Sequence, residues 1–141
     1  YNPNGTSEAY QDLNHAIDYI LENEDPESVV LYTGFNDGGL AEYRGLSAYI
    51  DPRAEVFVKK VNRKDDIMLE YRYLQNGSVY YKSVLNKYKF THLLIDKADI
   101  LSTYLPFDDD YQLVYANSSY EVYINIASMR NNANKGRDIQ L

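Results

Sequence analysis

An α/β fold is what this sequence predicts: a three-layer sandwich with central parallel strands and an antiparallel C-terminal hairpin at the edge. Three observations predict it. Two near-continuous apolar runs, Ser28–Thr33 and Thr91–Ile95, are bounded by turn signals, as strands buried on both faces are. Stripes at helical spacing stand between and before them, such as Leu13, Ala16, Ile17, Ile20 and Leu21. Last, Tyr111–Tyr115 and Tyr120–Ile126 flank the short loop Ala116-Asn117-Ser118-Ser119, the spacing of a β-hairpin.

In chain order, residues 1–6 read as a linker rich in Asn, Pro and Gly. Residues 7–127 are expected to form a single domain, and residues 128–141 a flexible tail without periodicity. Ser7 is placed to cap the first helix, with Glu8 where the helix dipole favours an acid. Pro26 biases Asp25 away from helical geometry and bounds that helix. After the first strand, Asp37 is placed to cap a short helix over 40–43, and Gly45 to close it. A second strand follows at Leu46–Ile50. Residues 56–63 alternate too weakly to assign. Asp65 and Asp66 open a helix through Leu74, stopped by Asn76-Gly77. Another helix is expected over 78–88, with Tyr81, Val84, Leu85 and Tyr88 on one side. Residues 96–105 read as a short helix or turn before Pro106.

The chain has 141 residues, 45% of them hydrophobic, which suits one packed core. A net charge of −7 argues against nucleic acid as a partner, since that needs a basic face. It also disfavours an anionic membrane surface. Without cysteine there is no disulfide, thiolate or cysteine-based zinc site. Most of the 16 tyrosines are expected on strands, and the rest are candidates for a partner surface. No run is apolar for the roughly 18 residues that a bilayer span needs. No signal peptide is visible, and the opening at Tyr1 without an initiator Met reads as a piece of a larger polypeptide.

Two polar clusters are the candidate site. Asn36, Asp37, Gly38 and Gly39 follow the first strand, and Asp51, Arg53 and Glu55 follow the second. If those strands run parallel, both clusters leave on one rim, where open α/β sheets bind ligands. The first cluster fits neither G-x-G-x-x-G nor the phosphate-loop pattern. Asp37, Asp51 and Glu55 are the candidates for a carboxylate pair of the kind hydrolases use. Pairing of Asp51 with Arg53 would instead make the second cluster architectural. His15 and His92 lack ligand-type partners at helical spacing and read as structural. Asp108-Asp109-Asp110 lacks calcium-loop spacing and reads as a solvated turn. No metal or other cofactor is expected. Three Asn-x-Ser/Thr triplets begin at Asn4, Asn76 and Asn117. Such triplets arise often by chance in an Asn-rich chain and matter only in a eukaryotic secretory context.

The order of these motifs resembles the C-terminal soluble domain of bacterial multi-pass membrane proteins of the GT-C-type glycosyltransferase class. The resemblance rests on the turn Asn36, Gly38, Gly39, Leu40 and on the strand Ala48-Tyr49-Ile50-Asp51 with Arg53 two residues on. It continues through Val84–Tyr88 leading into Thr91–Ile95, and ends in the pair Gln112–Tyr115 and Glu121–Ile124, covering residues 7 to 126. Leu40 stands where the family has Tyr, and Pro52 where it has Gly, so that position lacks an amide donor. The resemblance implies an extracytoplasmic accessory domain anchored through a multi-pass membrane portion of the same polypeptide. Its implied role is positioning a glycan or lipid-linked sugar acceptor. Sugar transfer is then expected in the membrane portion of the full-length protein, and the isolated domain is not expected to be catalytic. Two alternatives stand beside it: a protein-interaction module, and a carboxylate-dependent hydrolase.

Overall fold

The computed structural model describes residues 7–34, 36–48 and 63–127. Five α-helices and five strands make up these residues: α1 (Glu8–Asn23), β1 (Val30–Thr33), α2 (Gly38–Tyr43), β2 (Ser47–Ala48), α3 (Arg63–Gln75), α4 (Tyr81–Tyr88), β3 (His92–Asp96), α5 (Leu101–Tyr104), β4 (Tyr111–Ala116) and β5 (Tyr120–Asn125). Short 3-10 turns cover Pro26–Ser28 and Leu105–Phe107. The expected linker (1–6), tail (128–141) and unassigned stretch before residue 63 lie outside the described residues.

The sheet is mixed, in the order β2-β1-β3-β5-β4. β1 runs parallel to β2 and to β3, while β5 pairs antiparallel with both β3 and β4. This is the expected α/β sandwich with its C-terminal hairpin at one edge. The hairpin enters through its second strand: β5 adds to β3, and β4 is left outermost, with a register shift between Leu113 and Tyr115.

Alternation along the strands divides the core in two. One cluster holds Leu31, Leu94 and Val122 beneath Leu13, Ala16, Ile17 and Ile20 of α1, with Ala41 of α2. The opposite cluster holds Tyr32, Leu93, Ile95 and Tyr123 against Leu74 of α3, Val84 and Leu85 of α4, and Leu101. Helices thus cover both sheet faces, which is why β1 and β3 read as continuous apolar runs.

Local signals set most boundaries. Ser7 caps α1, its side chain accepting from Tyr10 N at 3.1 Å. Pro26 opens a 3-10 turn capped by Asp25, so β1 begins at Val30 rather than Ser28. Gly45 and Gly77, both at positive φ, follow α2 and α3. The helix expected from Ser78 begins instead at Tyr81. Ser78 N is already committed to Tyr73 O and Asn76 Oδ1, which prolongs the turn. No helix of the described residues is long and apolar enough to cross a membrane.

Candidate functional site

Because β1 and β3 are parallel and β5 runs against β3, one rim gathers the exits of β1 and β3 and the start of β5. β2 also runs towards this rim. Asn36 is exposed here on the loop leaving β1. Asp37 behind it is buried, at 8% exposure. Gly38 and Gly39 begin α2. The loop closes on itself through Asp37 N donating to Gly34 O at 3.1 Å.

Asp37 occupies the capping position of α2, yet its side chain makes no cap hydrogen bond. This corrects the role the sequence suggested. Its Oδ1 instead accepts from the Tyr120 hydroxyl at 3.0 Å, across the rim from the start of β5. A Cβ on Gly34 would stand 3.4 Å from both Asp37 Oδ2 and the Tyr71 hydroxyl oxygen. The chain therefore passes between those two groups at a residue with no side chain. Burial pushes the Asp37 carboxyl up to about 6; the Tyr120 bond opposes the rise, and the charges of Asp96 and Asp99 add to it.

A second buried carboxyl lies on the same rim. Asp99, 6% exposed, accepts from the Tyr32 hydroxyl at 3.1 Å through Oδ2 and from Leu101 N at 2.9 Å through Oδ1. Gln75 at the end of α3 completes the link. Its Nε2 donates to the Tyr32 hydroxyl oxygen at 3.0 Å, and its Oε1 accepts from Ile100 N at 3.2 Å. Burial raises the Asp99 carboxyl despite these donors. Burial, followed by the charge of Asp99, also raises the Tyr32 phenol. Thr33, fully buried at the end of β1, leaves its Oγ1 without a hydrogen-bond partner among the described residues.

The rim is thus built from tyrosine-carboxyl latches. Each binds the loop after a strand to an element distant in sequence. Asp37 and Asp99 each accept a hydrogen bond from a phenol hydroxyl, Asp37 at Oδ1 and Asp99 at Oδ2. Of the sequence candidates, Asn36, Asp37, Gly38 and Gly39 come together on this rim. Asp51, Arg53 and Glu55 lie outside the described residues. The parallel pairing of β1 with β2 that their shared rim requires is present. Sequence reasoning missed Tyr120, Asp99, Tyr32 and Gln75. For Tyr32 and Tyr120 the only signal is a polar tip on a strand, and for Asp99 and Gln75 a polar residue in a turn or at a helix end.

Elsewhere, the acidic turn is less solvated than expected. Asp108 is buried, accepting from the Tyr81 hydroxyl at 2.6 Å and from Lys82 Nζ at 3.1 Å, while Lys82 also reaches Asp110 at 2.6 Å. Burial works to raise the Asp108 carboxyl, but Tyr81, the Asp110 amide and Lys82 together bring it below its ordinary value. A lysine 26 residues earlier in the chain thus offsets part of the charge of this turn, pairing with Asp108 and Asp110. His92 is buried: its Nδ1 lies 2.8 Å from Thr91 Oγ1, and its Nε2, 3.3 Å from Glu24, makes no hydrogen bond among the described residues. Burial lowers its pKa against the pull of Glu24. Among the described residues, no group of three or more His, Cys, Asp or Glu is arranged to hold a metal ion.

No protein-family model, curated protein or solved structure matches this chain.

Proposed function

We propose that this chain is an extracytoplasmic accessory domain of a multi-pass, glycosyltransferase-like membrane protein. Its role is to position a glycan or lipid-linked sugar acceptor at the rim where β1 and β2 end. The observation that carries this reading is the Asp37–Tyr120 latch. It fixes the loop after β1 from behind and leaves Asn36 exposed at its front. An amide side chain offers both donors and an acceptor, which suits the hydroxyls of a sugar. The parallel course of β2 sends the chain towards the same rim just before Asp51, Arg53 and Glu55. Transfer chemistry belongs to the membrane portion on this reading, as the resemblance implies.

The test is a titration of the isotope-labelled 141-residue chain with envelope glycans, followed by amide chemical shifts. Shifts centred on residues 36–39 are expected, and Asn36→Ala weakens them several-fold. Unmoved amides throughout this loop at millimolar glycan overturn the assignment.

A second reading, a protein-interaction module, is favoured by a different observation. An open, mainly apolar groove of 390 Å³ runs between α3 and α4, lined by Leu69, Tyr73, Val79 and Val84. Leu69 and Tyr73 are exposed there. If the domain docks on its own membrane portion through this groove, Leu69→Asp disrupts the full-length protein and leaves glycan shifts unchanged.

A further inference from the structure

β1 lies between β2 and β3 in the sheet. α2, which follows β1, packs on the α1 side through Ala41. α3 and α4, which lead back to β3, pack on the opposite side through Leu74, Val84 and Leu85, and so does α5 after β3, through Leu101. The loops leaving β1 and β3 therefore part to opposite faces at the carboxyl ends of two adjacent parallel strands. Open α/β sheets take their ligands at such a parting.

Three side-chain oxygens here have no hydrogen-bond partner among the described residues. The first is Thr33 Oγ1, on a fully buried residue. Thr33 shares its sheet face with Leu31, and its register partner Leu94 belongs to the same α1-side cluster. The next residue of β3 on that face is Asp96, which pairs with Tyr120, and the Tyr120 hydroxyl holds Asp37. Thr33 is thus on the face of the latch. The second oxygen is Asp37 Oδ2, since Tyr120 engages only Oδ1. The third is Oδ2 of half-buried Asp96, whose Oδ1 accepts from Ala98 N at 2.8 Å. The charges of Asp96 and Asp99 reach Asp37, yet no Lys or Arg among the described residues pairs with any of the three. A buried hydroxyl without a partner and a carboxylate cluster without a counter-charge both cost stability. One hydrated cation answers both.

We propose that this chain binds one hydrated divalent cation of the magnesium class where the loops after β1 and β3 part. Asp37 Oδ2 and Asp96 Oδ2 are its carboxylate ligands, and Thr33 Oγ1 bonds to one of its waters. Magnesium keeps several waters and is held by one or two carboxylates, so the site needs no group of three acids. Asp99 already accepts from Leu101 N and the Tyr32 hydroxyl, and adds charge from outside the ligand set. The Tyr120 bond fixes the Asp37 carboxyl by one oxygen and leaves the other for the ion. A water of the shell supplies Thr33 with the partner that no protein atom gives it. The ion site stands independently of the glycan reading.

The test strips the 141-residue chain with a chelator and titrates it with magnesium chloride, followed by amide chemical shifts. Sodium chloride at matched ionic strength is the control. A saturable, one-site response at residues 33, 37 and 96–99 is expected, which sodium does not reproduce. Trace manganese chloride should broaden the same amides and spare residues 108–110. Asp37→Asn and Asp96→Asn should each weaken magnesium binding several-fold, with circular dichroism in chelator showing that both fold. Thr33→Val keeps the side chain's shape and removes its hydroxyl, and should weaken binding several-fold as well. A response that sodium matches, broadening centred on residues 108–110, or parental magnesium affinity in any of the three variants overturns the site. Glycan shifts without a magnesium response remove the ion site alone. A magnesium response without glycan shifts removes the glycan reading and leaves the ion site standing.

Discussion

The residue with the greatest leverage on this molecule is Asp37. An unpaired carboxylate is costly to bury, and the fold answers by favouring its protonated form and giving it a phenol partner. Its folded pKa, about 6, lies above the ordinary value of 3.8. The stability it contributes is therefore fully present below the unfolded pKa and is lost as pH rises through 6. Asparagine keeps an oxygen for the Tyr120 hydroxyl and carries no charge. Asp37→Asn should accordingly be more stable than the parent at pH 7.5, by on the order of 1–3 kcal/mol. That gap should shrink towards pH 4, as read by urea unfolding at both values. Tyr120→Phe should act the other way, costing about 1–3 kcal/mol at neutral pH by leaving the buried carboxyl without its donor. Equal stability of parent and Asp37→Asn at every pH would show that the carboxyl is not buried as described.

Among elements, the turn after α3 shows how one residue ends a helix. Gly77 lies at φ of 77°, a region that L side chains enter only at a cost. Space is not the obstacle, because the nearest atoms to an added Cβ are Ile100 Cδ1 at 3.8 Å and the Tyr104 hydroxyl oxygen at 3.9 Å. Gly77→Ala should therefore lose stability through the backbone alone, by about 1–2 kcal/mol, and lower the midpoint of a thermal melt. A melt unchanged by this substitution would mean that the turn can readopt a negative φ. The same local signals explain why element ends were legible: Ser7, Asp25, Gly45 and Gly77 each act within four residues of themselves. Of the strand expected over 46–50, Ser47–Ala48 is strand, and residues 49 and 50 lie outside the described residues.

Among the described residues, one sheet separates two apolar clusters. Ile17 and Leu85 are fully or almost fully buried on opposite faces. Truncating either to alanine should cost about 2–5 kcal/mol. If the sheet couples the layers, both variants unfold in a single transition that is the same by tyrosine fluorescence and by circular dichroism. Two separated transitions would show that the faces melt independently.

The sequence by itself determined the periodic and local features: helical stripes, buried runs, the hairpin and the caps. Each depends on neighbours a few residues away, so a linear reading contains them. Tertiary structure alone decided that β5 rather than β4 joins β3. It also decided that Asp37 meets Tyr120 across 83 positions, and that Tyr32 meets Asp99 across 67. Those pairings depend on which strands lie side by side and on how deeply each polar group is buried. Both are properties of the assembled sheet, set by hydrogen bonds and apolar contacts between segments that carry no mark of one another.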